Sequence, residues 1–145
     1  MRQQIEQVQQ AVSSWPGMTA SPHRFGGLEF NLGTVEVGHI HLNGMVDIPF
    51  NTKIRNQLVK EGSAEPHHLL KDTGWITFFI HSDTDVPHAI QLFRISYLFN
   101  ASRANGRAIL KNEVDLSREV SALDLNEPLR SVVNKVILRG EAAQK

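Results

Sequence analysis

Val35-Glu36-Val37-Gly38-His39-Ile40-His41-Leu42-Asn43-Gly44-Met45-Val46-Asp47-Ile48-Pro49-Phe50 reads as a β-hairpin, because Asn43-Gly44 can take the positive φ values of a tight turn. A two-residue loop predicts that Leu42 faces Met45, His41 faces Val46, Ile40 faces Asp47 and His39 faces Ile48. Side chains alternate across a strand. His39 and His41 are therefore expected on one face with Val35, Val37, Val46, Ile48 and Phe50, and Asp47 on the other. Two imidazoles on an otherwise apolar face mark this hairpin as the place to look for chemistry.

Working outward, Leu28-Glu29-Phe30-Asn31-Leu32 alternates with period two, and Gly33 turns it into the hairpin, so an antiparallel meander is expected. Ser21 to Gly27 reads as a loop. Ile5, Val8 and Val12 predict a helix over residues 1 to about 13, ended by Trp15-Pro16-Gly17. Downstream, Asn51 or Thr52 can cap a helix that runs to about Glu61, with Gly62 as its stop. Trp75-Ile76-Thr77-Phe78-Phe79-Ile80 reads as a strand apolar on both sides and hence central. Ser82 to Asp85 offers caps for a long helix that tolerates Pro87 in its first turn. Asn105-Gly106 is expected to be a turn. Asn126-Glu127-Pro128 opens a helix with Leu129, Val132, Val133, Val136 and Ile137 on one stripe.

The fold class that follows is α+β: an antiparallel sheet of about five strands with helices packed on it, plus a C-terminal amphipathic helix. Residues 1–100 are read as the domain and 101–145 as a helical extension.

At 145 residues the chain can bury a core without staples. Fifteen basic and fifteen acidic side chains balance, which speaks against a nucleic acid or anionic membrane recruited by bulk charge. The absence of cysteine excludes disulfides and thiolate chemistry. No apolar run reaches the length of a membrane span, and the first residues lack the apolar core of a secretory signal, so a cytoplasmic protein is expected.

His39 and His41, two apart on a strand face, can both reach one ion. His67, His68, Asp47 and His23 are the candidates for a third ligand. The hairpin register sets Asp47 on the wrong face, and no HExxH or two-histidine-one-carboxylate pattern fixes a local geometry. No metal is assigned on these grounds, and no cofactor is named; the imidazoles are read as acid–base or ligand-contacting groups. His67 and His68 follow Pro66, so an extended chain would send their rings to opposite sides. Arg24 could hold an anionic or phenolate oxygen by charge-assisted hydrogen bonds. The candidate set is thus catalytic His39, His41 and Arg24, with His23, His67, His68 and Trp75 binding ligand. Gly26-Gly27 matches no phosphate-loop spacing, and no GxSxG occurs.

Several of these motifs together resemble a known family. Trp15-Pro16-Gly17-Met18-Thr19, His23-Arg24-Phe25-Gly26-Gly27-Leu28-Glu29-Phe30, Gly38-His39-Ile40-His41, Asp47-Ile48-Pro49-Phe50, His67-His68, Asp72-Thr73-Gly74-Trp75-Ile76-Thr77-Phe78 and Arg94-Ile95-Ser96-Tyr97 are similar to the bacterial "luciferase family" domain over residues 14 to 100. Lys71 and Thr73 depart from the proline and serine of that pattern, and Asn51 from a proline. The family is named after fungal luciferases, which oxidise a hydroxylated hispidin with molecular oxygen. The resemblance implies an oxygenase-like activity on a phenolic or enolic substrate. A second likeness, to frataxin-like double-wing α/β proteins, rests on the Gly-Trp-strand-helix-Ser-Tyr ending alone.

Two functions from different classes follow. One is a small-molecule site on the histidine face. The other is a non-enzymatic module that binds a protein or a second copy of itself through the helix from Asn126 to Leu138.

Overall fold

A computed structural model describes residues 1–23 and 26–138. Helix α1 (Arg2–Ser13) precedes four strands, β1 (Met18–Pro22), β2 (Leu28–Leu32), β3 (Val35–Ile40) and β4 (Met45–Pro49). Helix α2 (Thr52–Lys60) starts at Asn51, whose side chain accepts from the Ile54 amide. The two-residue strand β5 (Glu65–Pro66) and β6 (Trp75–Phe79) complete the sheet. Its order is β1-β2-β3-β4-β6-β5, with every pair antiparallel.

After β6, Ser82 and Asp85 form a capping box at a 3₁₀ turn (Asp83–Asp85) that runs into α3 (Val86–Ala101). Short helices α4 (Ala104–Leu110), α5 (Leu116–Ser121) and α6 (Glu127–Val133) follow, and α6 continues as a π turn over Asn134–Leu138. No described helix is long and apolar enough to cross a membrane.

The sheet has six strands where about five were expected. Met18–Pro22, read in part as loop, pairs along its whole length with β2. Strand β6 lies beside the edge, covered only by two residues of β5, and Phe79 is consequently exposed. Asn105-Gly106 lies inside α4 and makes no turn. The absent side chain of Gly106 lets α4 approach the α3 carbonyl of Asn100, where a Cβ would come within 2.1 Å.

Helix α3 crosses the sheet and is buried on most sides, with Phe93, Leu92, Ile95 and Tyr97 in the core. A Cβ on Gly38 would meet Phe93 and Ile48, so Gly38, Ile40, Val46 and Ile48 face α3. The stripe Leu129, Val133 and Ile137 is buried in the same core, and α6 with its π turn lies against α2, α3 and α5. The C-terminal helix thus spends its apolar face within its own chain.

The hairpin register differs from the expected one by a residue. The connection is three residues long: the Gly44 amide donates to the His41 carbonyl (3.0 Å) and the His41 amide to the Met45 carbonyl (2.8 Å). Gly44 sits at φ +89°, and the Asn43 side chain accepts from the Met45 amide. Such a loop, a turn followed by a left-handed glycine, adds one residue to one strand. His39 therefore pairs with Asp47 and Ile40 with Val46. A shift of one residue exchanges faces. Asp47 joins the two histidines, while Val46 and Ile48 leave them for the core.

A second irregularity lies between β2 and β3. Phe30 pairs with Gly38 but Asn31 with Glu36, so Val37 is the extra residue of a bulge. Val37 and Gly38 both turn to the core, and Glu36 comes round beside His39.

Candidate functional site

These registers align one transverse row of polar residues across the sheet: Ser21, Glu29, His39, Asp47, Thr77 and Glu65 are successive partners from β1 to β5. The row points away from α3. Its centre is Asp47, whose side chain is 1% exposed. Oδ1 accepts from the Thr77 hydroxyl (2.7 Å), and Oδ2 lies 2.8 Å from His41 Nε2 and 3.2 Å from His39 Nε2. The other ring nitrogen of His39 meets the Glu36 carboxylate at 3.1 Å. His39 is thus clamped between two carboxylates.

Two further histidines close on this centre. His67 Nε2 lies 3.6 Å from Asp47 Oδ1. Its Nδ1 accepts from the amides of Leu69 and Leu70, which leaves the proton of the neutral ring on Nε2. The same turn of chain folds His68 back, so the two rings stack at 4.3 Å and do not diverge as an extended chain would require. His23 follows β1 and stacks on His39 with centroids 4.1 Å apart. Trp75 spans the site, 5.8 Å from the His39 ring and 5.7 Å from that of His67.

Burial and charge set the protonation of the cluster. Burial alone would raise the Asp47 carboxyl, but hydrogen bonds from His39, Thr77 and His41 hold it far below the usual carboxylate range. Burial would likewise lower His39, yet hydrogen bonds to Asp47 and Glu36 raise it to about 9. His67 is lowered by burial, with His68 adding to the effect against the pull of Asp47. Burial and the neighbouring His39 lower His23. At neutral pH the site therefore carries a carboxylate at Asp47, a cationic ring at His39, and neutral rings at His67 and His23.

A cavity of about 260 Å³ opens over this cluster. Glu36, His39, His41, Asp47, His67 and His23 form its polar side, and Leu69, Leu70, Trp75 and His68 the rest. Convergent polar groups against an apolar wall are the usual make-up of a small-molecule site, here of a size for one or two rings.

The structure brings His23, His39, His41, His67, His68 and Trp75 together, while Arg24 lies outside the described residues. Sequence reasoning missed Glu36, Thr77 and the Leu69-Leu70 wall, and set Asp47 aside. A lone aspartate in the apolar run Met45 to Phe50 was the available signal for a hub, and a three-residue reading of the loop would have placed it correctly.

Residues 34–96 match the model of the Luciferase domain family. This span runs from the start of the hairpin into α3 and holds most of the cavity lining, His23 excepted. The comparisons lend no support to a frataxin-like relationship. No curated protein and no solved structure matches the chain.

Proposed function

We propose, on the premise of the Luciferase-domain match, that this chain binds a small planar molecule with an acidic hydroxyl, phenolic or enolic, and promotes its reaction with molecular oxygen. The observation that carries the reading is the convergence of His39, His41 and His67 on one buried carboxylate at the polar end of a cavity walled by Trp75, Leu69 and Leu70. A flat ring would lie against the Trp75 indole and the leucines, which line the same cavity. Its hydroxyl would meet the histidines, with His67 Nε2–H placed as a donor to an oxyanion.

The chemistry needs a proton removed and an anion stabilised. Loss of the hydroxyl proton to the cluster gives an enolate or phenolate with carbanion character on a ring carbon. That carbon gives an electron pair to dioxygen, forming a C–O bond, and the peroxide oxygen takes the proton back. Substrate and dioxygen thus sum to a hydroperoxide. Exclusion of water by the apolar wall strengthens each electrostatic contact with the anion.

The test is oxygen consumption and ligand binding with a panel of 4-hydroxy-2-pyrones and catechols. Uptake by the native chain, lost in the His39→Ala/His41→Ala double variant with its fold intact, is the expected outcome. A folded double variant that binds and turns over the same compound normally would remove the histidines from the reaction.

A further inference from the structure

We infer that His39 Nε2, His41 Nε2 and Asp47 Oδ2 form a binding site for a divalent first-row transition-metal ion, opening onto the cavity. This rests on the proposed reading for its purpose, since the ion would hold the substrate oxygen, but its geometry stands apart from any substrate.

Three observations carry it. First, both imidazole nitrogens are directed at the same carboxylate oxygen, at 2.8 and 3.2 Å, and the three residues each offer a ligand atom within 4.8 Å of the others. Metal–ligand bonds of about 2.0–2.1 Å set neighbouring donors about 3.3 Å apart at a tetrahedral centre, so little movement separates these atoms from a coordination shell. Second, two of the donors have an outer partner that orients them. Glu36 accepts from His39 Nδ1, so the ring keeps that proton when an ion displaces the one on Nε2, and Thr77 holds Asp47 by its other oxygen. A carboxylate–histidine pair behind a ligand is a regular feature of metal sites. Third, three protein donors leave open positions, and His41, 20% exposed, lines the cavity into which they would face.

The donor set selects the ion. Two imidazoles and a carboxylate, with no thiolate in the chain, suit zinc, iron, cobalt or nickel better than magnesium or calcium, which prefer oxygen. His67 is excluded from the set although it is near. Its Nδ1 accepts two backbone amides, so the proton of the neutral ring is fixed on Nε2, whereas His39 can keep its proton on Nδ1 against Glu36 and give Nε2 to an ion. It is a positioning residue that donates toward Asp47 or toward an oxygen on the ion. A bound cation would act as a Lewis acid on the substrate hydroxyl.

The experiment is calorimetric titration of the full chain, stripped with chelator, using Zn²⁺ alone and then Mg²⁺ alone, with Co²⁺ absorption as a spectral check. One zinc per chain is expected, with no comparable magnesium heat, and a ligand-field spectrum for cobalt. His41→Ala, at the most accessible ligand, should weaken zinc by about a hundredfold or more. Glu36→Gln should weaken it by about 10–100-fold, as outer partners do. His68→Ala should leave zinc affinity within a few-fold of native, and His67→Gln should cost no more than Glu36→Gln does. Circular dichroism of each variant shows whether it folds, and the Co²⁺ spectrum of the native chain needs no variant.

Absence of zinc binding by the folded native chain overturns the inference, as does equal affinity in native and His41→Ala proteins. A loss in His67→Gln as large as that in His41→Ala overturns the ligand assignment. Oxygen uptake that persists in the chelator-stripped protein, alongside a failed zinc titration, sinks the metal and leaves the oxygenase reading standing. Tight zinc binding without uptake of any panel compound does the reverse.

Discussion

Two neighbouring rows of one sheet are built from opposite chemistry. In one, Leu28, Ile40, Val46 and Phe78 are successive partners, and Ile40 and Val46 are fully buried in the core. In the next, Glu29, His39, Asp47 and Thr77 are the partners, and the last three are almost as deeply buried. The same backbone supplies both rows, alternating at each residue. The apolar row is held by many non-directional contacts that share the load. The polar row converges on one carboxylate, because Asp47 partners His39, Thr77 and the adjacent His41, with Glu36 as a second partner to His39. Stability on one side is distributed; on the other it passes through a single residue.

The largest effect is expected on the apolar side. Ile48 is fully buried beneath α3, and Ile48→Ala should cost about 4 kcal/mol in urea denaturation through lost transfer energy and the cavity left behind. At temperatures where that variant is folded, ligand and metal binding should match the native chain. A loss of binding would show that the two rows are mechanically coupled.

Asp47→Asn should cost about 3 kcal/mol, since it removes one charge of a buried cluster. The low end of the expected range applies because Glu36 still balances His39. Unlike Ile48→Ala, this variant should lose zinc and ligand binding even when fully folded. Retention of both would deny Asp47 its place as hub. Thr77→Val sharpens the point: with the hydroxyl gone, Asp47 Oδ1 loses its shortest donor, and a stability loss of about 1–2 kcal/mol is expected by the same measurement.

Much of the apolar row was legible from the chain alone, and much of the polar row was not. Period-two alternation announced β2, β3 and β4, and caps announced α2 and α3. The histidines, His23 and Trp75 were recognised as a set from residue type and resemblance. Asp47 was not, because which face it joins depends on whether Leu42 belongs to the loop, a difference of one residue that leaves the hydrophobic pattern readable either way. Glu36 escaped for a related reason: only the bulge at Val37 carries it to His39. The pairing of β1 was hidden by the weak alternation of Met18 to Pro22, where pairing with β2 outweighs local preference. Site residues that depend on bulges and loop lengths are thus harder to read than those that depend on periodicity.

The smallest effect concerns a polar atom on the apolar side. Tyr97 in α3 is fully buried, and its hydroxyl donates to the Pro16 carbonyl at 2.7 Å, tying α3 to the turn after α1. Burial pushes its phenol up to about 12, with Glu113 and Glu119 adding to the rise and Arg94 opposing it. The folded chain therefore holds this proton more tightly than the unfolded chain. Its contribution is fully present below the ordinary phenol value near 10 and is lost as pH rises through about 12. Tyr97→Phe should cost only about 1 kcal/mol at neutral pH, the worth of one hydrogen bond. Between pH 10 and 12, the stabilities of the two proteins should converge and then cross, because the rise from 10 to about 12 is worth more than the one hydrogen bond. Parallel curves across that range would mean that the hydroxyl is not held in the dry interior. The apolar side would then share the dependence on individual polar partners that sets the histidine row apart.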